Sequence, residues 1–146
     1  MTQDYLLDVN VLIALLDTNH EHHQIVGHWF TVHQWRRVSL CPLTEAGFLR
    51  ITTNPKYPGI QRRMDEAIAV LQTFKGHPDC WYQGIDKSWV DLTVGFARRV
   101  NGHRLVTDAY LLGLAIKNDC VLVTFDKGIV HLADAEFARH VHLLST

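Results

Sequence analysis

The sequence predicts an α/β sandwich built on a largely parallel sheet. Two observations carry that expectation. Short apolar runs of strand length alternate with longer stretches of helical periodicity along the whole chain. Acids stand at the turning points between the two kinds of segment, which is where an open parallel sheet gathers functional side chains. The 146 residues, 47% of them hydrophobic, suffice for one compact domain with a full core, expected to span positions 1–146.

Tyr5-Leu6-Leu7 reads as the first buried strand, and Val9 to Leu16 as the helix that follows it. A second helical stretch runs from about His22 to Arg36, with Ile25, Val26, Trp29, Phe30 and Val32 as its apolar stripe. Val38-Ser39-Leu40 is the second strand. Pro42 then suits an early helix position, and the helix continues to Thr53. Asn54 to Gly59 breaks the chain, and Ile60 to Phe74 is helical again. Trp81-Tyr82 opens a third strand. Lys87 to Val100 reads as a helix stopped by Asn101-Gly102. Thr107 is the expected N-cap of a helix over Asp108 to Lys117. Val121-Leu122-Val123, rich in β-branched residues, is the clearest strand. Val141 to Leu144 is a final edge strand. No repeat or interdomain linker interrupts this order.

The formal net charge is −1, so contact with nucleic acid must rest on a local basic patch. Cys41, Cys80 and Cys120 are odd in number and far apart, which argues against a disulfide framework and a structural zinc site; Cys41 and Cys120 read as reduced core thiols. Polar Thr2, Gln3 and Asp4 follow Met1, unlike a secretory leader, and no apolar stretch approaches the roughly 20 residues of a membrane span. The expected location is the cytoplasm, with no membrane partner.

The chemistry centres on four acids: Asp8, Glu45, Asp108 and Asp126. Each has an ordinary structural reading. Asp8 can cap a helix, Glu45 and Asp108 can favour a helix dipole from the first turn, and Asp126 can close a turn. Their shared setting is more specific, because each is embedded in apolar sequence where a lone charge is costly. Gathered in one crevice they repel one another unless protons or a cation intervene, and a hard divalent cation such as Mg²⁺ suits oxygen ligands. Asn10, Thr107 and Thr124 are candidate supporting groups, with helix-start or capping roles as the structural alternative. Arg50, five residues beyond Glu45 on one helix, and Lys127, next to Asp126, are the candidate phosphate contacts; the Arg36-Arg37, Arg62-Arg63 and Arg98-Arg99 pairs read as solvated helix surface. The early histidines (His20, His22, His23, His28 and His33) match no metal-binding spacing and read as solvated helix-face residues.

With these residues in view, the chain resembles PIN-domain ribonucleases, in particular the VapC toxins of bacterial toxin–antitoxin pairs. The matching segments are LLDVNVLIALLD (6–17), LTEAGFLRI (43–51), TDAYLLGLA (107–115) and VTFDKGI (123–129). The resemblance runs from about Tyr5 to Leu143. It maps Asp8, Glu45, Asp108 and Asp126 onto an acidic quartet that is both catalytic and metal-binding, with Asn10 and Thr124 beside it. Ile129 departs from the pattern, an aromatic being common there. The resemblance implies a PIN-like three-layer α/β/α sandwich with four or five strands. It implies an endoribonuclease dependent on Mg²⁺, which Mn²⁺ can replace. It also implies a homodimer, a VapB-type antitoxin that blocks the crevice, and a structured RNA target (tRNA or rRNA) whose cleavage stops translation and growth.

Three other readings compete. A haloacid-dehalogenase-like phosphatase also uses Mg²⁺ and an Asp after its first strand, but Asn10 and Val11-Leu12 occupy the places where it needs a second acid or Gly-Thr. A receiver-like signalling domain needs an adjacent acid pair, which Asp4 and Asp8 do not make. A non-cleaving, RNA-binding PIN domain is the third.

Overall fold

The computed structural model describes residues 3–33 and 37–146. Strands β1 (Tyr5–Leu7), β2 (Val38–Leu40), β3 (Cys80–Tyr82), β4 (Val121–Thr124) and β5 (Val141–Leu143) form one sheet in the order β3-β2-β1-β4-β5. Every neighbouring pair is parallel. Parallel strands need helical crossovers, and the helices cover both faces, which is why β1, β2 and most of β4 are buried.

The pleat sorts the core into two layers. Tyr5 and Leu7 of β1 and Val123 of β4 pack with α1 (Val9–Leu16), α2 (His23–Val32), α3 (Pro42–Thr52) and α4 (Met64–Lys75). Leu6 and Leu122, which point the opposite way, pack with α6 (Val106–Lys117) and α7 (Lys127–Ala133), and the short helix α5 (Trp89–Thr93) closes over α6. The result is a three-layer α/β/α sandwich with five strands, within the four or five that the resemblance to PIN-domain ribonucleases implies.

The topology locates the crevice. From β1 the chain builds outward through β2 and β3, then returns to place β4 and β5 on the other side of β1. The strand order therefore reverses between β1 and β4, the point where an open parallel sheet leaves a cleft beyond its carboxyl ends. Leu7 pairs with Val123, so Asp8 leaves β1 beside Thr124, the last residue of β4.

Several boundaries differ from the sequence-based expectation. α2 ends at Val32, and the expected extension to Arg36 falls partly outside the described residues. α4 starts at Met64 rather than Ile60, because the backbone at Ile60 is engaged by Asp17: its N–H donates to the carboxylate at 3.1 Å. The expected 87–100 helix shrinks to α5 and a single 3₁₀ turn at Ala97–Arg99. Val90, Thr93, Val94 and Gly95 are poor helix formers, and packing on α6 does not compensate beyond one turn. Asn101-Gly102 does stop the chain, with Gly102 at φ +107°. α6 begins at Val106, directly after a 3₁₀ turn over His103–Leu105, so Thr107 is an exposed first-turn residue and not the N-cap. Among the described residues no helix is long and apolar enough to cross a membrane.

Gly113 allows α5 to lie on α6, since a Cβ there would sit 2.5 Å from the Leu92 carbonyl oxygen. Gly113→Ala forces backbone apart and is expected to cost about 1–3 kcal/mol, read as a lower urea midpoint. An unchanged midpoint would show that this approach is not tight.

Candidate active site

Asp8 leaves β1 as the N-cap of α1 and is buried. Both of its oxygens are engaged. Oδ1 accepts the Val9 N–H at 2.7 Å, and Oδ2 accepts the Thr124 hydroxyl at 2.7 Å. Asp8 is thus the N-cap of α1, and the cap bond also fixes the direction of its carboxylate. Thr124 closes β4, is fully buried, and works in both directions: its oxygen also accepts the Asp126 N–H at 3.0 Å. Asp126 caps α7, with Oδ1 accepting the Gly128 N–H at 2.7 Å, and it is exposed at the mouth of the cleft. Asp108 reaches the same place from the third position of α6.

Electrostatics ties these three aspartates into one group. Burial holds Asp8 above the ordinary carboxylate range against the pull of its Thr124 and Val9 hydrogen bonds, and the Asp126 charge adds to the rise. Asp108 is pushed up to about 7, first by burial, then by the charges of Asp8 and Asp126, and by a hydrogen bond with the Asp126 carboxylate. Two carboxyl groups can share a hydrogen bond only when one keeps its proton. The metal-free cleft therefore favours the protonated form of Asp108.

Glu45 is set apart. It stands in the first turn of α3, and Oε2 lies 2.8 Å from the Lys75 ammonium at the end of α4. Tyr82 of β3 hydrogen-bonds the same carboxylate, and Lys75 lies 4.5 Å above the Tyr82 ring centroid. Sequence reasoning missed Lys75 and Tyr82, because each is 30 or more positions from Glu45 and neither stands in a motif. It also missed Asp17, fully buried at the end of α1 and satisfied by the Tyr57 hydroxyl at 2.5 Å and the Asn19 and Ile60 N–H groups. Burial opposes that charge, but the three hydrogen bonds and Arg62 hold Asp17 below its ordinary value, marking it as a structural acid. A polar side chain ending an apolar helix was the available signal.

Other expected site residues fall elsewhere. Asn10 is exposed on α1 rather than buried beside the acids. Arg50 occupies the last turn of α3; five residues carry it about 7.5 Å along the axis from Glu45 and about 140° around it. Lys127, exposed at the start of α7, does adjoin Asp126. The early histidines are not uniformly solvated. Only His28 among the five is exposed; His33 packs on Tyr5 and Trp29, and His22 on Phe125. Arg62 and Arg99 reach backbone carbonyls of Leu16 and Leu132 rather than pointing freely to solvent. Cys41 and Cys120 are buried and free, as expected.

The PIN domain family model matches residues 5–135. The chain belongs to the PIN-domain family. Within the family its relatives are VapC ribonucleases. It is 40% identical to Ribonuclease VapC38 of Mycobacterium tuberculosis over 140 residues, covering 96% of this chain and 97% of the relative. It is 36% identical to Ribonuclease VapC39 of the same species over 130 residues, 89% and 94% of the two chains, and 35% identical to Ribonuclease VapC44 over 128 residues, 85% and 87%. This PIN domain also shares its fold with VapBC2 from Rickettsia felis bound to a promoter DNA fragment (TM-score 0.63, 11% identity, 97% and 99% of the chains). The FitAB complex bound to IR36 DNA gives a TM-score of 0.61 at 21% identity, over 95% and 94%.

The proton on Asp108 makes the metal-free PIN domain pH-sensitive. Between the ordinary value of 3.8 and about 7, folded Asp108 keeps a proton that the unfolded chain has released. Stability of the metal-free protein therefore falls as pH rises through that window. In EDTA at pH 8, Asp108→Asn is expected to stabilise the fold by about 1–2 kcal/mol after allowance for solvent screening, and to flatten the pH profile of the melting temperature. A variant less stable than the parent at pH 8 would contradict the shared-proton description.

Proposed function

We propose that this chain is a divalent-cation-dependent endoribonuclease, the toxin of a VapC-type toxin–antitoxin pair, that hydrolyses phosphodiester bonds in structured RNA such as tRNA or rRNA and so stops translation. The observation that carries the reading is the convergence of Asp8, Asp108 and Asp126, from three separate elements, at the cleft where the sheet changes direction.

Among the described residues no three acidic, histidine or cysteine side chains stand close enough to ligate one ion as they are. The donor set nevertheless fits Mg²⁺ or Mn²⁺. All the donors are hard carboxylate oxygens, Mg²⁺ retains several waters and needs only one or two carboxylates, and the neighbouring charges of Asp8 and Asp126 that raise Asp108 would be relieved by a cation. Asp8, Asp108 and Asp126 would hold the ion, with Glu45 acting through water because Lys75 and Tyr82 already engage its carboxylate. When bound, such an ion neutralises charge on the scissile phosphate and makes a coordinated water more acidic.

The residues of the chain supply the rest. Thr124 fixes Asp8 and the backbone of Asp126 at once, so two of the acids move as a unit. An acid of the quartet can take a proton from an attacking water and return it to solvent. Lys127 beside Asp126 offers a cation to the RNA backbone. Attack by water leaves a 5′-phosphate and a 3′-hydroxyl. The ribose 2′-hydroxyl takes no part in the bond exchange, so preference for RNA rests on the binding surface. A VapB-type antitoxin covering the cleft and a homodimer of this chain complete the proposal, supported by the kinship to VapC ribonucleases and by the likeness of the fold to the VapBC2 and FitAB complexes.

Purified, antitoxin-free protein incubated with total RNA should cut only with Mg²⁺ or Mn²⁺. Asp8→Asn and Asp108→Asn should each lower the rate about 100-fold or more. Retained cutting in both, or 2′,3′-cyclic phosphate ends, would refute the scheme. Thr124→Val should lose about 10-fold while Thr124→Ser stays close to the parent. Equal rates for the two Thr124 variants would remove the hydroxyl from the mechanism.

A further inference from the structure

Outside the acid cluster, a cavity of about 310 Å³ lies between the turn after α1 and the loop before α4. Asn19, His20 and Glu21 line it from the turn, and Tyr57, Pro58 and Gly59 from the loop. Asp17 pins both segments. Its buried carboxylate accepts the Asn19 N–H at 2.9 Å from the turn, and the Tyr57 hydroxyl at 2.5 Å and the Ile60 N–H at 3.1 Å from the loop. Gly59 permits this closeness, since a Cβ there would stand 2.0 Å from Asp17 Oδ2. A buried charge is costly, and this one fixes the two walls of a cavity. Rings connect the cavity to the cleft. The His20 and His22 centroids are 5.6 Å apart, and His22 lies 5.0 Å from Phe125. Phe125 joins Asp126 to Thr124, whose hydroxyl is 2.7 Å from Asp8 Oδ2.

The walls carry groups that read a base. Tyr57 and Pro58 offer apolar surface, Glu21 accepts hydrogen bonds, and the Asn19 amide donates and accepts. His20 Nδ1 accepts the His22 N–H at 3.0 Å, which fixes the neutral tautomer and leaves Nε2 as a donor. Burial, then the charge of His22, hold His20 below its ordinary value against the pull of Asp17 and Glu21. The lining holds no lysine or arginine, so the cavity suits a base rather than a phosphate. Unpaired RNA is read in this way, by packing bases on aromatic and histidine rings and bonding their edges. We propose that this Asp17-pinned cavity is a nucleobase subsite, which receives one unpaired base of an RNA lying in the cleft. This rests on the reading of the cleft as a ribonuclease site. It gives the chain a base preference at one nucleotide near the cut, which contacts to phosphate cannot supply.

Two readouts on the full-length, antitoxin-free protein test this. In the first, total RNA is cut with Mg²⁺ and the 5′ ends of the products are sequenced. The parent should prefer particular bases at one position near the cut, and His20→Ala and Glu21→Gln should each change that preference about fivefold or more. Glu21 is 81% exposed, so its variant leaves the fold intact. In the second, a short unpaired RNA carrying 2-aminopurine is bound in EDTA at pH 8. Its fluorescence should fall on binding the parent, and His20→Ala should weaken binding about tenfold and abolish the fall, with the circular dichroism spectrum unchanged. His20 is uncharged at that pH, so the slope of log affinity against log salt should stay that of the parent. Preference and quenching retained in both variants, or a salt slope altered by His20→Ala, overturns the subsite and leaves the nuclease. A parent that quenches through His20 but cuts nothing keeps the subsite and removes the nuclease reading. A parent that does neither overturns both.

Discussion

Like charges held close together, away from bulk water, are the constraint on which this molecule turns. Three aspartates are delivered to one cleft by three different elements, and nothing apolar can relieve their repulsion. In the metal-free chain it falls on Asp108, whose carboxyl is pushed up to about 7 by burial and by Asp8 and Asp126. The surrounding architecture serves to make that arrangement tolerable. Thr124 donates to Asp8 and accepts from the Asp126 backbone, and the N-terminal N–H groups of α1 and α7 each stabilise one carboxylate.

The fourth acid is treated differently, and the contrast is informative. Glu45 meets its positive partner within the chain, in Lys75, 2.8 Å away. Asp17 meets three hydrogen-bond donors and is held below its ordinary value despite being fully buried. The chain can thus satisfy an acid when satisfaction is the purpose. Asp8 and Asp108, by contrast, are left raised beside a third acid. Membership of the PIN-domain family gives the same cleft a ribonuclease context.

Much of the fold was legible in the chain because parallel strands buried on both faces are short, apolar and β-branched, as at Val121–Thr124, and because helices with an apolar stripe announce themselves by period. Legibility failed where local preference and tertiary packing disagreed. The 87–100 stretch has helical spacing but β-branched residues and a glycine, and forms one helical turn and a 3₁₀ turn. Thr107 looks like a cap, yet the preceding 3₁₀ turn lets α6 begin two residues earlier than expected, at Val106. The early histidines look polar, yet His22 and His33 pack edge or face against aromatic rings.

By itself the sequence determined the alternation of strands and helices and the four acids at its turning points, because hydrophobic period and residue type are local properties. Only the tertiary structure decided which acids meet. Strand register set Asp8 beside Thr124, reversal of strand order opened the cleft between them, and the packing of α4 against α3 brought Lys75 to Glu45 across 30 residues. Electrostatic partnership depends on distance through space and on burial, neither of which is written in the spacing of residues along the chain.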